Sequence, residues 1–127
     1  MQLTISNNSL DNIDTFIYSY LPGYIKKLFE ISVDKKRFKP FDREYKINSY
    51  SLLKKALNSL IISKNGNNQY IIKTNNIIKV NNLTLDYYLR LINYGTREIK
   101  GYPLISELFN YIKDNINKIY KEWDGGN

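Results

Sequence analysis

The chain has 127 residues, 43% of them hydrophobic and 14% aromatic, and a net charge of +7. This length suits one globular domain, residues 1–127, with a single hydrophobic core. The apolar content excludes an intrinsically disordered chain, because it offers enough surface to offset the entropy that folding costs.

Cysteine and histidine are both absent, which excludes several kinds of site. Without cysteine there is no disulfide framework, no thiolate nucleophile and no sulfur ligand for a metal. Without histidine, the common zinc sites and the Ser-His-Asp triad are excluded as well. The carboxylates show no motif spacing, and neither a Walker loop nor a dinucleotide-binding glycine motif is present. We therefore predict a protein that is not an enzyme and needs no metal or cofactor.

The N-terminal region combines a strand pattern with an interrupted helical pattern. Residues 1–6 alternate apolar and polar side chains, which predicts a short strand or an extended lead-in. Ser9 is expected to cap a helix over residues 10–20, whose apolar side chains recur every three to four positions. Pro22 then interrupts the helical pattern, which resumes at Tyr24. The sequence predicts either a helical hairpin or one helix kinked at Pro22.

The central region is predicted to contain a loop, a core helix and a β-hairpin. Residues 34–46 have no sustained period and include a proline, which is typical of a surface loop. Ser49 is expected to cap a helix over residues 50–62, whose broad apolar face indicates a core element. Two β-rich runs follow at residues 69–74 and 77–80, and the two asparagines between them predict a hairpin turn.

Two further helices are predicted in the C-terminal region. Thr84 is expected to cap a helix over Leu85–Tyr94, and Gly95 lies where a left-handed C-cap would end it. Pro103 occupies a first-turn position of the longest helix, which reaches about Trp123. Its apolar residues step by three and four throughout, which predicts a buried stripe.

These elements define the predicted fold class. It is α+β and predominantly helical, with about four helices packed with a small antiparallel β-hairpin, to which a short N-terminal strand could add. Residues 124–127 are expected to fray. No stretch approaches about 18 uninterrupted apolar residues, and no basic region precedes an apolar core at the N-terminus, so neither a membrane span nor a signal peptide is expected.

Positive charge is concentrated in the middle of the chain, where residues 24–85 contain 13 lysines and arginines against four acids. Such a balance indicates an acidic partner such as nucleic acid, an acidic protein surface or an anionic membrane. Codon bias is an alternative explanation, because Asn, Ile, Lys and Tyr dominate the chain while alanine occurs once, at Ala56.

The first candidate binding site is the basic stretch that begins the predicted loop. Cations neutralise phosphates and aromatic rings stack on bases, as binding of single-stranded nucleic acid requires. The alternative is a solvated loop whose phenylalanines pack into the core. The candidate residues here are Lys35, Lys36, Arg37, Phe38, Lys39 and Arg43.

A second candidate site lies within residues 47–85, which contain five lysines and no acid. If the hairpin and the helix before it share a face, these lysines form a positive patch. Alternatively, the hairpin lysines discourage pairing between sheet edges. The candidate residues are Lys54, Lys55, Lys73 and Lys79.

The twelve tyrosines are a third feature, because tyrosine can fill a core while its hydroxyl stays in water, which suits binding surfaces. Packing explains those on the helical stripes. Five others are predicted to form a partner-facing surface, of which Tyr70 joins the candidate site residues. The five are Tyr18, Tyr70, Tyr87, Tyr94 and Tyr111.

No motif assigns the chain to a family, and two functions compete. In its general composition only, the chain resembles small proteins of bacteriophages or other mobile elements, because it is small, rich in aromatic residues and has the amino-acid usage of an AT-rich gene. The first prediction is a non-enzymatic protein-interaction module, either a virion component or a factor that binds and modulates a host protein. The alternative is a basic accessory protein that binds DNA or RNA through residues 35–46 and the hairpin lysines. The expected location is the cytoplasm of the host cell or an assembled virion.

Overall fold

The computed structural model of this protein describes residues 1–6, 10–34, 36, 39–66 and 68–125. These residues are predominantly helical and form small antiparallel sheets, which confirms the predicted α+β class. The helical segments are α1 Ile13–Thr15, a π-helical segment Phe16–Tyr20, α2 Leu21–Ser32, α3 Lys39–Tyr45, α4 Ser49–Asn58, α5 Leu85–Tyr94, α6 Leu104–Asp114 and α7 Ile116–Gly125. The strands are β1 Gln2–Ser6, β2 Ile61–Asn65, β3 Gln69–Lys73, β4 Lys79–Val80 and β5 Leu83–Thr84.

The larger sheet has three antiparallel strands, with β3 in the centre and β1 and β2 at its sides. Leu3 and Ile5 of β1 lie opposite Ile72 and Tyr70 of β3, and all four side chains are buried. Because side chains alternate along a strand, this register places the apolar residues of both strands on one face. The predicted N-terminal strand is confirmed.

The hairpin partner of β3 differs from the predicted one. β3 pairs with β2, across a turn that contains Gly66 at φ 68°. Ile61 and Ile62, predicted to end a helix, are strand residues, and α4 ends at Asn58. β-branched side chains favour the strand conformation, and pairing with β3 outweighs the local helical pattern.

Residues 77–80 contribute to a second, smaller hairpin instead. β4 pairs with β5 across two asparagines at positive φ, the conformation that such tight turns require. The predicted turn residue Asn75 is buried, and its side-chain oxygen accepts hydrogen bonds from the N–H groups of Ile77 and Ile78, both at 2.8 Å. Asn75 therefore holds the chain in an Asx turn that leads out of β3.

One continuous helical run covers residues 13–32, so of the two predicted alternatives the helical hairpin is wrong and the single helix remains. The turn before Pro22 is π-helical, and the N–H of Leu21 donates to the carbonyl oxygen of Phe16. Proline lacks an N–H and its ring clashes with the preceding turn of a regular α-helix, which explains the wider turn at this point. Ser9, the predicted cap, lies outside the described residues.

Part of the predicted loop at residues 34–46 is helical. α3 occupies the second half of this stretch, and its Phe41 side chain is buried in the core. The Asp42 carboxylate accepts a hydrogen bond from the N–H of Ser49, which ties α3 to the start of α4. Two helical turns with one buried anchor are too short to show a period in the sequence.

The N-cap of α4 differs from the predicted residue, whereas the N-cap of α5 is the predicted one. At α4 the cap is Asn48, whose side-chain oxygen accepts from the N–H of Ser51 at 2.9 Å. The predicted cap, Ser49, is already helical, and its buried hydroxyl has no hydrogen-bond partner among the described residues. The cap at Thr84 is confirmed, because its hydroxyl oxygen accepts from the N–H of Tyr87 at 3.2 Å.

Gly95 ends α5, as predicted, but at φ 82° and ψ −174° its backbone lies outside the predicted left-handed helical conformation. Two physical reasons favour glycine at this position. Side chains disfavour this backbone conformation, and a Cβ at Gly95 would lie 2.4 Å from the backbone nitrogen of Gly101. The close approach of these two glycines returns the chain from α5 toward α6.

The predicted long C-terminal helix consists of two helices that meet at Asn115. The Asn115 side-chain amide and backbone N–H donate to the Tyr111 carbonyl oxygen at 2.8 Å and 3.0 Å. Asparagine interrupts helices in this way because its side chain competes for backbone groups. Phe109 is buried, as the predicted stripe requires. Residues 124–125 belong to α7, and residues 126–127 lie outside the described residues.

A polar cluster joins β1, the end of β3 and the start of α5. The Met1 ammonium lies 2.7 Å from the Asp86 carboxylate and 3.0 Å from the Thr74 hydroxyl. The Thr74 hydroxyl also hydrogen-bonds to Asp86, and the Arg90 guanidinium lies 3.0 Å from the second carboxylate oxygen. Asp86 is largely buried, so these partners satisfy a charge that burial would otherwise penalise.

Candidate functional site

The residues predicted for the first basic site lie before and within α3. Lys36 is exposed, and its backbone N–H donates to the Asp34 carboxylate at 3.1 Å. Lys39 is the first residue of α3, and Arg43 is exposed in its last turn. The remaining predicted residues, Lys35, Arg37 and Phe38, lie outside the described residues.

The four lysines of the second predicted site belong to three different elements. Lys54 and Lys55 are on α4, and the Lys54 ammonium lies 5.7 Å from the centre of the Tyr50 ring. Lys73 ends β3, and Lys79 is exposed on β4. Within the described part of the chain, none of the four forms an ion pair.

The prediction that Tyr70 faces a partner is wrong, because its side chain is fully buried. Its hydroxyl donates to the Asp14 carboxylate, which also lies 3.3 Å from the Lys64 ammonium. Burial follows from the position of Tyr70 on the inner face of the central strand. The other four tyrosines of the predicted surface are exposed and lie on three elements: Tyr18 on the π-helical segment, Tyr87 and Tyr94 on α5, and Tyr111 on α6.

α2 presents two adjacent apolar rows rather than one. Leu21, Ile25 and Phe29 form the first row and are fully buried in the core. The second row is partly buried at the edge of the core, and Ile31 at its end is 73% exposed. An apolar arc wider than one buried face is the sequence signal for such an arrangement. The second row begins at Tyr20, the last residue of the π-helical segment, and continues on α2 with Tyr24, Leu28 and Ile31.

The second row of α2 lines a surface cleft between α2 and the pair α6 and α7. One part of the cleft has a volume of about 540 Å³, and Glu122 of α7 is among the residues that line it. The other part, of about 410 Å³, is shared with α6, and the two parts meet at Leu28. We call this feature the α2 cleft. Its α2 wall includes Tyr20, Gly23, Tyr24, Lys27, Leu28 and Ile31, and its opposite wall includes Leu104, Glu107, Leu108, Tyr111 and Glu122.

The aromatic rings of the cleft rest on buried aromatic rings beneath them. The Tyr20 ring stacks on Phe16 at 5.8 Å and lies 6.0 Å from the ring of Tyr24. It also lies 6.5 Å from the ring of Trp123, which itself contacts Phe16 at 5.6 Å. Rings held in this way need little further ordering when a partner binds, which reduces the entropic cost of association.

The Tyr24 and Tyr111 side chains are neighbours in the cleft. Burial raises the pKa of Tyr24 to about 12, and the neighbouring Tyr111 hydroxyl acts in the same direction. The charge of Glu122 and the hydroxyl of Tyr20 act in the same direction. Tyr24 is therefore a neutral phenol at physiological pH and can donate or accept a hydrogen bond at the centre of the cleft.

Gly23 lies at the rim of the α2 cleft without a structural requirement for glycine. It is helical, its φ is not positive, and an added Cβ would meet nothing within 4 Å. Gly23→Ala should therefore raise the free energy of unfolding by about 0.5–1 kcal/mol, because alanine loses less backbone entropy in a helix. Denaturant unfolding measures the change, and Gly95→Ala, where the added Cβ clashes, is the control that should be destabilised. A less stable Gly23→Ala variant would contradict the geometry.

Two further properties bear on what the molecule can do. Among the described residues, no group of three or more acidic side chains could hold a metal ion, and no helix is long and apolar enough to cross a membrane. Comparison with known protein families, curated proteins and solved structures gave no match. The surface geometry is therefore the basis for a functional proposal.

Proposed function

We propose that this protein is a non-enzymatic interaction module that binds an amphipathic helical segment of a partner protein in the α2 cleft. The observation that carries the proposal is the second, partly buried row of α2, which lines the cleft and ends in the 73% exposed side chain of Ile31. Apolar side chains left in a concave surface are typical of a protein-binding site.

The shape of the cleft supports a helical occupant. Its α2 row spans residues 20–31, which corresponds to about 17 Å of helix, or three turns. An amphipathic helix laid along such a groove inserts side chains spaced three, four and seven positions apart. Aromatic walls suit this role because tyrosine supplies a large contact area and retains a polar hydroxyl.

Selection from a displayed library of helical peptides, followed by binding measurements on single variants, tests the proposal. Ile31→Gln should weaken binding of the selected peptides about tenfold, because it removes an apolar contact at the cleft. The matched control is Ile77→Gln, since Ile77 is equally exposed at 72% but lies in the loop between β3 and β4. Selected peptides that are insensitive to Ile31→Gln, or no selection at all, would refute docking in this cleft.

Nucleic-acid binding is the second candidate function. The observation that favours it is that Lys54, Lys55, Lys73 and Lys79 have no carboxylate partner within the described residues. Oligonucleotide binding that falls steeply with salt and survives Ile31→Gln would support this candidate over peptide docking.

A further inference from the structure

We propose that the segment bound in the α2 cleft is basic, with lysine or arginine side chains along the flank that faces α6 and α7. This inference rests on the proposed docking function and specifies the chemistry of the partner. Three charged side chains line the described cleft: Lys27 on the α2 wall, and Glu107 and Glu122 on the opposite wall. The two walls therefore carry opposite charges, which would orient a bound helix.

The two carboxylates are available to a partner. Glu107 and Glu122 are exposed, and neither forms an ion pair with another described residue. Glu122 is near enough to the phenol of Tyr24 for its charge to raise the pKa of that hydroxyl. Its carboxylate therefore acts on the interior of the cleft. Acidic side chains on the flank that faces α6 and α7 would bring like charges together.

The aromatic lining favours the same kind of partner. Cations are attracted to the faces of tyrosine rings within about 6 Å. The chain makes this contact elsewhere, since the ammonium groups of Lys54 and Lys64 lie 5.7 Å and 5.5 Å from tyrosine ring centres. Tyr20, Tyr24 and Tyr111 line the α2 cleft beside its carboxylates, so a lysine or arginine there would meet both kinds of partner.

The test uses two synthetic helical peptides that share the same leucine and phenylalanine stripe, about 18 residues long so that they span the cleft. One carries lysine at the flanking positions and the other carries glutamate. Fluorescence anisotropy should show about tenfold tighter binding of the lysine peptide, with the preference reduced by added salt. This result would run against the net charge of +7, which by itself attracts the glutamate peptide.

Matched double variants separate the local charges from the overall charge. Glu107→Gln with Glu122→Gln should abolish the preference, whereas Glu44→Gln with Glu98→Gln makes the same change in net charge at exposed positions outside the cleft and should preserve it.

The outcomes distinguish this inference from the proposed function. If both peptides bind equally and both lose affinity with Ile31→Gln, docking stands and the basic preference is wrong. The preference is also wrong if the glutamate peptide binds more tightly, or if the lysine preference survives Glu107→Gln with Glu122→Gln. If neither peptide binds, both proposals are overturned.

Discussion

Phe16→Ala should lower the free energy of unfolding by about 3–5 kcal/mol, because it removes a fully buried ring and leaves a cavity. The ring contacts those of Tyr120 and Trp123, with centroids at 5.5 Å and 5.6 Å, and stacks with Tyr20. The Phe16 ring packs between the π-helical segment and α7. Its removal therefore leaves a cavity that no single neighbouring side chain can fill. Denaturant unfolding monitored by circular dichroism measures the change.

Two further variants make the Phe16 result interpretable. Phe16→Leu keeps most of the buried volume and should cost less than the alanine variant, which matters if Phe16→Ala fails to fold. Tyr94→Ala removes an aromatic ring that is 70% exposed on a helix, and it should change stability by no more than about 0.5 kcal/mol. Equal losses for Phe16→Ala and Tyr94→Ala would contradict the placement of the core.

Asp86→Asn should lower the free energy of unfolding by about 3 kcal/mol at neutral pH, because it leaves the buried partners of the carboxylate uncompensated. Burial by itself raises the pKa of Asp86. The hydrogen bonds from the Met1 ammonium and Thr74, with the charges of the ammonium and Arg90, outweigh burial and lower this pKa below its ordinary value of 3.8. The carboxylate is therefore more acidic in the folded protein than in the unfolded chain.

The direction of this shift fixes the pH dependence. The unfolded chain binds the proton first as the pH falls, so the contribution of Asp86 is complete above about pH 4 and is lost as the pH falls through the lower folded pKa. The difference between wild type and Asp86→Asn should therefore be largest at neutral pH and shrink in acid. Unfolding titrations from pH 7 to pH 2.5 measure it. Arg90→Gln, which removes a 60% exposed partner, should have a small effect, and a constant Asp86→Asn difference would contradict the assignment.

The sequence predicted the helices that show a long apolar period and the N-cap Thr84, whereas the cap of α4 is Asn48 and not the predicted Ser49. α5 begins after Thr84 and ends at Gly95 as predicted, because both signals act within one turn of the helix. The C-terminal stripe was predicted through residue 123, but one asparagine interrupts its helix at Asn115. A periodic pattern of apolar residues does not show where an asparagine side chain competes for the hydrogen-bonding groups of the helix backbone.

The candidate site was only partly predictable. Tyr111 was correctly expected at the surface, whereas Tyr70 was wrongly assigned to it, because an isolated tyrosine carries no signal for which face of a sheet is buried. Lys27, Glu107 and Glu122 had no candidate role in the sequence, since their proximity depends on how α2 packs beside α6 and α7. The predicted roles of the basic residues stay predictions.

The sequence by itself determined the α+β class, the apolar stripes and the N-terminal strand, because these follow from periodicity and from interactions between near neighbours. Tertiary structure alone decided that β3 pairs with Ile61–Asn65, that α3 is helical, and that one apolar row of α2 is buried while the next lines a cleft. The pairing of β2 with β3 is local, but the hairpin and α2 are fixed in place by contacts between residues far apart in the chain, where β3 pairs with β1 and α2 lies beside α6. Once the whole core has formed, the energies of these contacts outweigh the intrinsic helix and strand propensities of single residues, which are on the order of 0.5 kcal/mol per residue.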